Sequence, residues 1–174
     1  KLAILTAVAF GCEVDFDAVY TEGIRHITAD DISFADELGY RIKLLGIATR
    51  INGAIEQRVH PCLVADVTPI VHVPGAFNAV VADGDFVDST VYEGKGAGGG
   101  PTASAVVADL VDIARGSRVP TFAVGVNDLA KSSPAPMEDH VGAYYICLTV
   151  RDEPGVMADV TAAFKDQSIS LESM

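Results

Sequence analysis

Apolar residues fill the first ten positions of the chain almost without interruption. Only Lys1 and Thr6 are polar within residues 1–10. A helix with almost no polar face is normally buried on nearly all sides. Gly11 can end such a helix, because glycine adopts the left-handed backbone of a helix terminus without strain. The pattern therefore predicts a buried helix from residue 1 to residue 10.

Two further helices are predicted before the first strands. Residues 17–22 follow Asp15 and carry a second acid at the start, where acidic side chains favour a helix amino terminus. Thr28 is followed three residues later by Asp31, which resembles a capping box with a shorter acid than usual. We expect that helix to run to residue 38, where Gly39 ends it.

Branched apolar residues then indicate β-structure. Residues 41–51 and 54–64 flank Asn52-Gly53, the strongest short signal for a hairpin. His60-Pro61 is expected to interrupt the second strand, because proline cannot donate to a ladder. Residues 69–77 are expected to form a short irregular or helical piece.

A second strand pair and a long helix follow. The strands are predicted at residues 78–82 and 86–92, and the helix at residues 102–115. The polar positions of this helix, Asp109, Asp112 and Arg115, recur every three residues and define one narrow face. The remainder is apolar, so we expect it to be packed.

The composition shifts to Pro, Ser, Asp and Asn near residue 117, which indicates a linker or surface excursion over residues 117–141. After it, a strand is predicted at residues 144–150, a helix at 156–164 and the start of another strand at 169–171. A β-α-β beginning cannot bury its own apolar face, so residues 142–174 are interpreted as an incomplete domain. The fold class predicted is α+β, with an antiparallel or mixed sheet covered by helices on one face in residues 1–116.

Charge and cysteine content limit the classes of partner and the cellular compartment that we expect. The net charge is −12, from 24 acidic and 12 basic residues, and it repels nucleic-acid phosphates and anionic lipid surfaces. No stretch approaches the roughly 20 apolar residues that span a membrane. Cys12, Cys62 and Cys147 have no disulfide or zinc spacing, which favours reduced thiols in a cytoplasmic protein. A small-molecule substrate is expected, and the chain is expected to begin in mid-protein, since it lacks an initiator Met.

Two features could carry chemistry. The glycine-rich run at residues 93–102 follows a strand and opens a helix, and Gly94, Gly96 and Gly99 satisfy GxGxxG. No βαβ unit follows it, so ligand contact and a structural tight turn both remain open. Lys1 would stand at the positive end of a buried helix, where its charged form is disfavoured and proton donation becomes possible. The alternative is that Lys1 is simply an exposed first residue.

No metal site is expected, because the four histidines show no metal-ligand spacing.

Short segments over nearly all of residues 1–116 together resemble bacterial homoserine dehydrogenases. They are KLAIL (1–5), FG (10–11), EGI (22–24), LGYRIKLLG (38–46), RVHP (58–61), FNAV (77–80), GKGAG (94–98) and PTASAV (101–106). Residues 144–174, with DEPGV (152–156) and SISLE (168–172), look like the first half of an ACT domain, a ferredoxin-like βαββαβ regulatory unit.

The resemblance implies an oxidoreductase that interconverts L-aspartate 4-semialdehyde and L-homoserine with NAD(P)H, in threonine, methionine and isoleucine biosynthesis. Lys1 matches the family's final signature lysine, its general acid and base. Gly98 matches a glycine whose backbone approaches the nicotinamide cofactor. Asp152 and Gly155 would contact an amino-acid effector such as threonine.

The resemblance also implies a division into three parts: residues 1–116 as catalytic and dimerisation domain, 117–141 as linker, and 142–174 as partial ACT domain. The Rossmann half is missing, so no cofactor is expected to bind to this chain alone, and a homodimer or higher oligomer is expected. The competing hypothesis is a stand-alone amino-acid-sensing dimerisation module without catalysis.

Overall fold

The computed structural model describes residues 1–173. Its principal elements, in chain order, are α1 (Leu2–Phe10), β1 (Val19–Thr21), α2 (Ala29–Glu37), β2 (Tyr40–Ile51), β3 (Ala54–Ala65), β4 (Phe77–Gly84), β5 (Asp88–Lys95), α3 (Gly99–Ala114) and α4 (Val156–Asp166). The mixed α and β composition that the sequence predicts is confirmed. The strands form two small sheets, one ordered β1-β3-β2 and the other β4-β5.

The hairpin of β2 and β3 is the centre of the first sheet. Its strands pair antiparallel along their full length, from Tyr40 opposite Ala65 to Ile51 opposite Ala54. Asn52 and Gly53 have φ of 50° and 85°. Two positive φ values define a type I′ turn, whose twist matches that of the flanking strands. The predicted hairpin is therefore confirmed, with its turn at the predicted dipeptide.

The predicted helix at residues 17–22 is wrong, because this segment contains strand β1. The Asp15 side chain accepts hydrogen bonds from the backbone N–H groups of Asp17 (3.1 Å) and Ala18 (3.0 Å). Such a turn competes with helix formation. It directs the chain along β3, where Val19 to Thr21 pair in parallel with residues 57–59.

The predicted interruption at His60-Pro61 is also wrong. Pro61 stays in the ladder and lies opposite Leu44. Counting from the two-residue turn, Pro61 occupies a non-hydrogen-bonded position, so its nitrogen points away from β2. β1 lies on that side of β3, but it ends opposite Val59. No backbone N–H donor is therefore needed at position 61, and proline is tolerated there.

Two helices pack beside β2, and both have the predicted ends. α1 stops at Gly11, whose φ is 62°. α2 begins at Thr28 with a complete capping box: the Thr28 side chain accepts from the Asp31 backbone, and the Asp31 side chain accepts from the Thr28 backbone. However, Ala3, Thr6 and Ala7 are the only buried residues of α1, so the expectation of burial on nearly all sides is not met within residues 1–173.

The second sheet and α3 form a more open part of the structure. β4 and β5 pair from Phe77 opposite Lys95 to Gly84 opposite Asp88, close to the predicted strands. Residues 69–72 form the expected short helical piece, a single 3₁₀ turn. No residue of α3 is buried by the described chain, and Ile113 is 70% exposed. The expected packing of α3 is therefore not provided by residues 1–173.

The carboxy-terminal part contains one predicted element and lacks two. α4 confirms the predicted helix. The strands predicted at residues 144–150 and 169–171 are wrong, since neither segment forms a strand. A strand requires a partner for its backbone groups, and no neighbouring strand among residues 1–173 supplies one. Within the same residues, no helix is both long enough and apolar enough to cross a membrane.

Candidate active site

Lys1 lies at the amino end of α1, which is held against the hairpin. Lys1 is the N-cap residue, and its side chain is exposed. Leu2 packs over Gly46, where an added Cβ would lie 3.5 Å from Leu2 Cδ1, an ordinary van der Waals distance. The first turn of α1 therefore rests on the middle of β2, and this contact fixes where Lys1 begins.

The other end of α1 is held by Arg50 of β2. The Arg50 guanidinium donates to the carbonyl oxygen of Phe10 at 3.1 Å and lies 5.0 Å from the centroid of the Phe10 ring. A cation at a helix carboxyl terminus neutralises the negative end of the helix dipole. The helix that carries Lys1 is therefore anchored to the same strand at both ends.

The glycine-rich turn joins β5 to α3. Gly98 is the N-cap of α3, with φ of 117° and ψ of 156°, and the start of the helix has no side-chain cap. That backbone conformation is accessible essentially to glycine alone. At Gly96 a Cβ would overlap the Asn78 side chain. Glycine is thus required at Gly98 for structural reasons, whether or not a ligand binds there, whereas a Cβ at Gly96 requires only that the Asn78 amide turn aside.

The strand topology decides whether this glycine-rich run is a dinucleotide-binding GxGxxG fingerprint. β5 is antiparallel to β4, and no strand follows α3 in residues 115–173. A dinucleotide fingerprint needs a parallel βαβ unit. The run is therefore not a Rossmann fingerprint, but its free backbone N–H groups at the start of α3 still favour a negatively charged ligand.

Lys1 and Gly98 stand on different elements. Neither a hydrogen bond nor an ion pair within residues 1–173 joins them. Asp152 is exposed in the turn before α4, and Gly155 caps that helix with φ of 98°. The four residues singled out from the sequence thus lie at the beginnings of three helices, α1, α3 and α4.

A buried ionic cluster was missed by the sequence reasoning. Glu56 of β3 is 2% exposed. One of its carboxylate oxygens pairs with the Arg58 guanidinium. The other accepts a hydrogen bond from His140 Nδ1 at 2.9 Å. Burial, followed by the charge of Arg58, lowers the pKa of His140, so a neutral imidazole donates to the carboxylate at neutral pH.

A second contact joins the carboxy-terminal part to α2. The Tyr145 hydroxyl donates to Asp31 Oδ1 at 3.0 Å. Burial and this hydrogen bond raise the pKa of Tyr145. The hydrogen bonds from the Thr28 side chain, the Thr28 backbone and Tyr145 lower the pKa of Asp31. The only sequence signal for either contact was the capping box, which identified Asp31 but not its distant partner.

Lys1 and the glycine turn offer a titratable amine and free backbone amides, respectively. Among residues 1–173, no group of three or more His, Cys, Asp or Glu side chains is placed to hold a metal ion. Cys12, Cys62 and Cys147 are free thiols. Lys1, exposed at a helix start, can donate or accept a proton from a bound molecule, and the glycine turn offers backbone amides to an anion.

Comparison with known proteins gives the family. The homoserine dehydrogenase family model matches residues 1–111. The homoserine dehydrogenase of Pseudomonas aeruginosa is 45% identical over 180 residues, which cover all of this chain and 42% of the relative. That of Neisseria gonorrhoeae is 41% identical over 180 residues, again all of this chain and 41% of the relative. The chain therefore spans about two-fifths of the length of these curated relatives.

Solved structures agree with the sequence relatives. A crystal structure of a homoserine dehydrogenase from Thiobacillus denitrificans superposes with a TM-score of 0.85 at 46% identity, covering 100% of this chain and 42% of that one. The homoserine dehydrogenase of S. aureus at pH 8.5 gives 0.63 at 37% identity over 69% of this chain and 30% of that one. Since the family model covers well over half of the residues and the fold agrees, the chain belongs to the homoserine dehydrogenase family.

Proposed function

We propose that this chain supplies the catalytic and dimerisation part of an enzyme that interconverts L-aspartate 4-semialdehyde and L-homoserine with NAD(P)H. The observation that carries the proposal is the 45% identity to a homoserine dehydrogenase over the whole chain. The position of Lys1 supports it, because a general acid must be held rigidly and remain accessible to substrate. The stand-alone sensing module is not favoured, since the family match lies in residues 1–111 rather than in the carboxy-terminal part.

In this proposal Lys1 transfers the proton. Reduction of the aldehyde adds a hydride to the carbonyl carbon and a proton to the carbonyl oxygen, and Lys1 gives that proton; in the reverse direction it removes the proton from the hydroxyl group. NAD(P)H, when bound, supplies the hydride. The chain's own contribution is therefore to place an ammonium group beside the reacting oxygen.

The glycine turn fits one end of such a cofactor but not the whole of it. The unusual backbone of Gly98 exposes the first N–H groups of α3, and these suit a negatively charged or polar group at close range. The parallel βαβ unit that holds a dinucleotide is not formed by the described residues. Gly98 is proposed to approach the nicotinamide end, and the rest of the cofactor requires other parts of the enzyme.

We propose the division that the resemblance implies: a catalytic and dimerisation domain at residues 1–116, a connecting segment at 117–141 and part of an ACT domain at 142–174. An amino acid such as threonine is the proposed effector, with Asp152 and Gly155 in contact with it. The exposed turn before α4 leaves both residues accessible. The pathway, the formation of threonine, methionine and isoleucine, and a cytoplasmic setting belong to the same proposal.

The experiment compares two purified proteins. The full-length protein should oxidise L-homoserine with NAD(P)⁺, whereas residues 1–174 alone should give no detectable turnover, because the cofactor-binding unit is not formed. Both are followed by absorbance of the reduced nicotinamide. Absence of turnover by the full-length protein would contradict the proposed function, and turnover by residues 1–174 would contradict the proposed incompleteness of the site.

A further inference from the structure

We infer that residues 130–140, here called the strap, hold the carboxy-terminal end of α1 against β3 and thereby position Lys1; this role rests on the proposed function. The composition of residues 117–141 predicts a linker or surface excursion, and the strap lies within it. Within this connecting segment, residues 130–140 are bound to α1 and β3 through backbone and side-chain contacts.

The first contact is at the end of α1. The Ala130 N–H donates to the Gly11 carbonyl at 2.9 Å, and the Glu13 N–H donates to the Ala130 carbonyl at 2.9 Å. Together they form a parallel bridge between Cys12 and Ala130. Gly11 is the residue that ends α1, so the strap is hydrogen-bonded to the carboxy-terminal end of this helix.

The second contact is on the edge of β3. The Ile55 N–H donates to the Ser133 carbonyl at 2.9 Å, and the Ala135 N–H donates to the Ile55 carbonyl at 3.0 Å. Ile55 is 3% exposed. β1 covers the same edge only opposite residues 57–59, so the strap continues that edge toward the hairpin turn. It satisfies backbone groups that an open edge would leave unpaired.

The third contact is the buried ionic cluster. His140, at the end of the strap, reaches Glu56 across 84 residues of sequence, with Nδ1 at 2.9 Å from the carboxylate. Because His140 is neutral, its loss would remove a hydrogen bond to the buried Glu56 carboxylate, which would keep its ion pair with Arg58. His140 is therefore expected to hold the strap in one register on β3.

The consequence for Lys1 follows from the shortness of the helix. α1 has nine residues. At 1.5 Å per residue it is only about 13 Å long and moves as a rigid unit. The strap thus adds a third attachment of α1 beside the contacts that Leu2 and Arg50 make with β2, and its loss at Gly11 is expected to tilt the helix and shift Lys1. An error of about 1 Å in the position of a catalytic group can lower a rate roughly 100-fold.

Hydrogen exchange of backbone amides in residues 1–174 tests the contacts between the strap and α1 directly. Ala130→Pro removes the N–H that donates to Gly11, and Leu129 before it has ψ of 128°, which suits a following proline. Hydrogen exchange of the Glu13 amide should accelerate roughly fivefold or more, as expected for loss of a hydrogen bond. Lys131→Pro is the control, because the Lys131 N–H has no backbone acceptor within residues 1–173. Unchanged exchange at Glu13 in folded Ala130→Pro would overturn the inference.

Steady-state kinetics of the full-length enzyme test whether the strap positions Lys1. Ala130→Pro should lower kcat about 10-fold to 100-fold with little change in the KM for either substrate, whereas Lys131→Pro should not. If Ala130→Pro does not fold, His140→Ala takes its place, with restoration of kcat expected in His140→Asn, whose amide nitrogen lies where Nδ1 does and can still donate to Glu56. Unchanged kcat would refute the proposal that the strap positions Lys1.

If the wild-type enzyme does not oxidise homoserine, the proposed function fails, while hydrogen exchange at the Glu13 amide still decides whether the strap is bound to α1.

Discussion

Lys1 is the residue on which the proposed chemistry depends. In the full-length enzyme, Lys1→Ala should lower kcat by about 10²- to 10⁴-fold, the usual effect of losing a general acid, and cofactor affinity should change little. Lys165→Ala is a suitable control, since Lys165 lies in the last turn of α4. Steady-state rates and cofactor titration measure both quantities. A near-normal kcat in Lys1→Ala would remove this residue from proton transfer.

Gly98 combines a structural requirement with a proposed ligand contact. Any side chain there strains a backbone with φ of 117°, so Gly98→Val should lower thermal stability as well as cofactor affinity in the full-length enzyme. Gly116→Val is the control, because Gly116 also has a positive φ, 80°, but lies at the opposite end of α3. It should lose stability and keep its cofactor affinity. Equal affinities in the two variants would make the Gly98 turn purely structural.

The capping box of α2 should make stability depend on pH. Hydrogen bonds from Thr28 and Tyr145 lower the pKa of Asp31 in the folded protein. The unfolded state therefore binds the proton more readily, and the stabilisation is present above the unfolded pKa and lost as pH falls through the folded value. The lowered pKa of His140 acts in the same direction.

Chemical denaturation between pH 7 and pH 3 measures this dependence. Wild type should lose more of its free energy of unfolding on acidification than Asp31→Asn, because the variant lacks the titrating carboxylate. Asp30→Asn is the control, as Asp30 lies in the same first helical turn and outside the capping box. A wild-type profile parallel to that of Asp31→Asn would contradict the assignment.

The elements differ in how well local sequence determines them. Asn52-Gly53 requires only its own two backbone conformations to form the turn, and Thr28 with Asp31 satisfies the start of α2 from within one turn. These signals are local, so they predict the structure correctly. β1 and residues 144–150 depend on a partner strand: β1 finds β3, and residues 144–150 find none in the described chain.

At the scale of the whole molecule, we expect residues 1–174 to dimerise at micromolar concentration through residues 41–92. Apolar side chains on both sheets are open, with Leu44 53% and Val80 42% exposed, and a twofold contact is the commonest way to bury such a surface. Light scattering should give a mass above the 18.2 kDa of the monomer. Leu44→Glu should weaken association, and Val119→Glu, outside the interface, should not. A monomer mass throughout would contradict the expectation.

The sequence predicted the local backbone at individual residues of the candidate site but not how these residues are arranged relative to one another. The helix start at Lys1 and the glycine turn at Gly98 follow from local patterns, because a helix terminus and a positive φ are properties of a few adjacent residues. Their chemical roles came from the resemblance to a family. Their relation to each other involves distant parts of the chain, which no local pattern encodes.

The sequence by itself determined the central hairpin, the ends of α1 and α2 and the family, since each depends on short segments read in order. Only the tertiary structure decided that β1 is a strand, that Pro61 stays in the ladder, and that residues 130–140 are hydrogen-bonded to the end of α1 and to β3. The physical reason is the same in each case. A strand is stable only with its partner, and the hydrogen bond that the buried Glu56 carboxylate accepts from His140 joins residues too far apart in the chain for any sequence pattern to assign it.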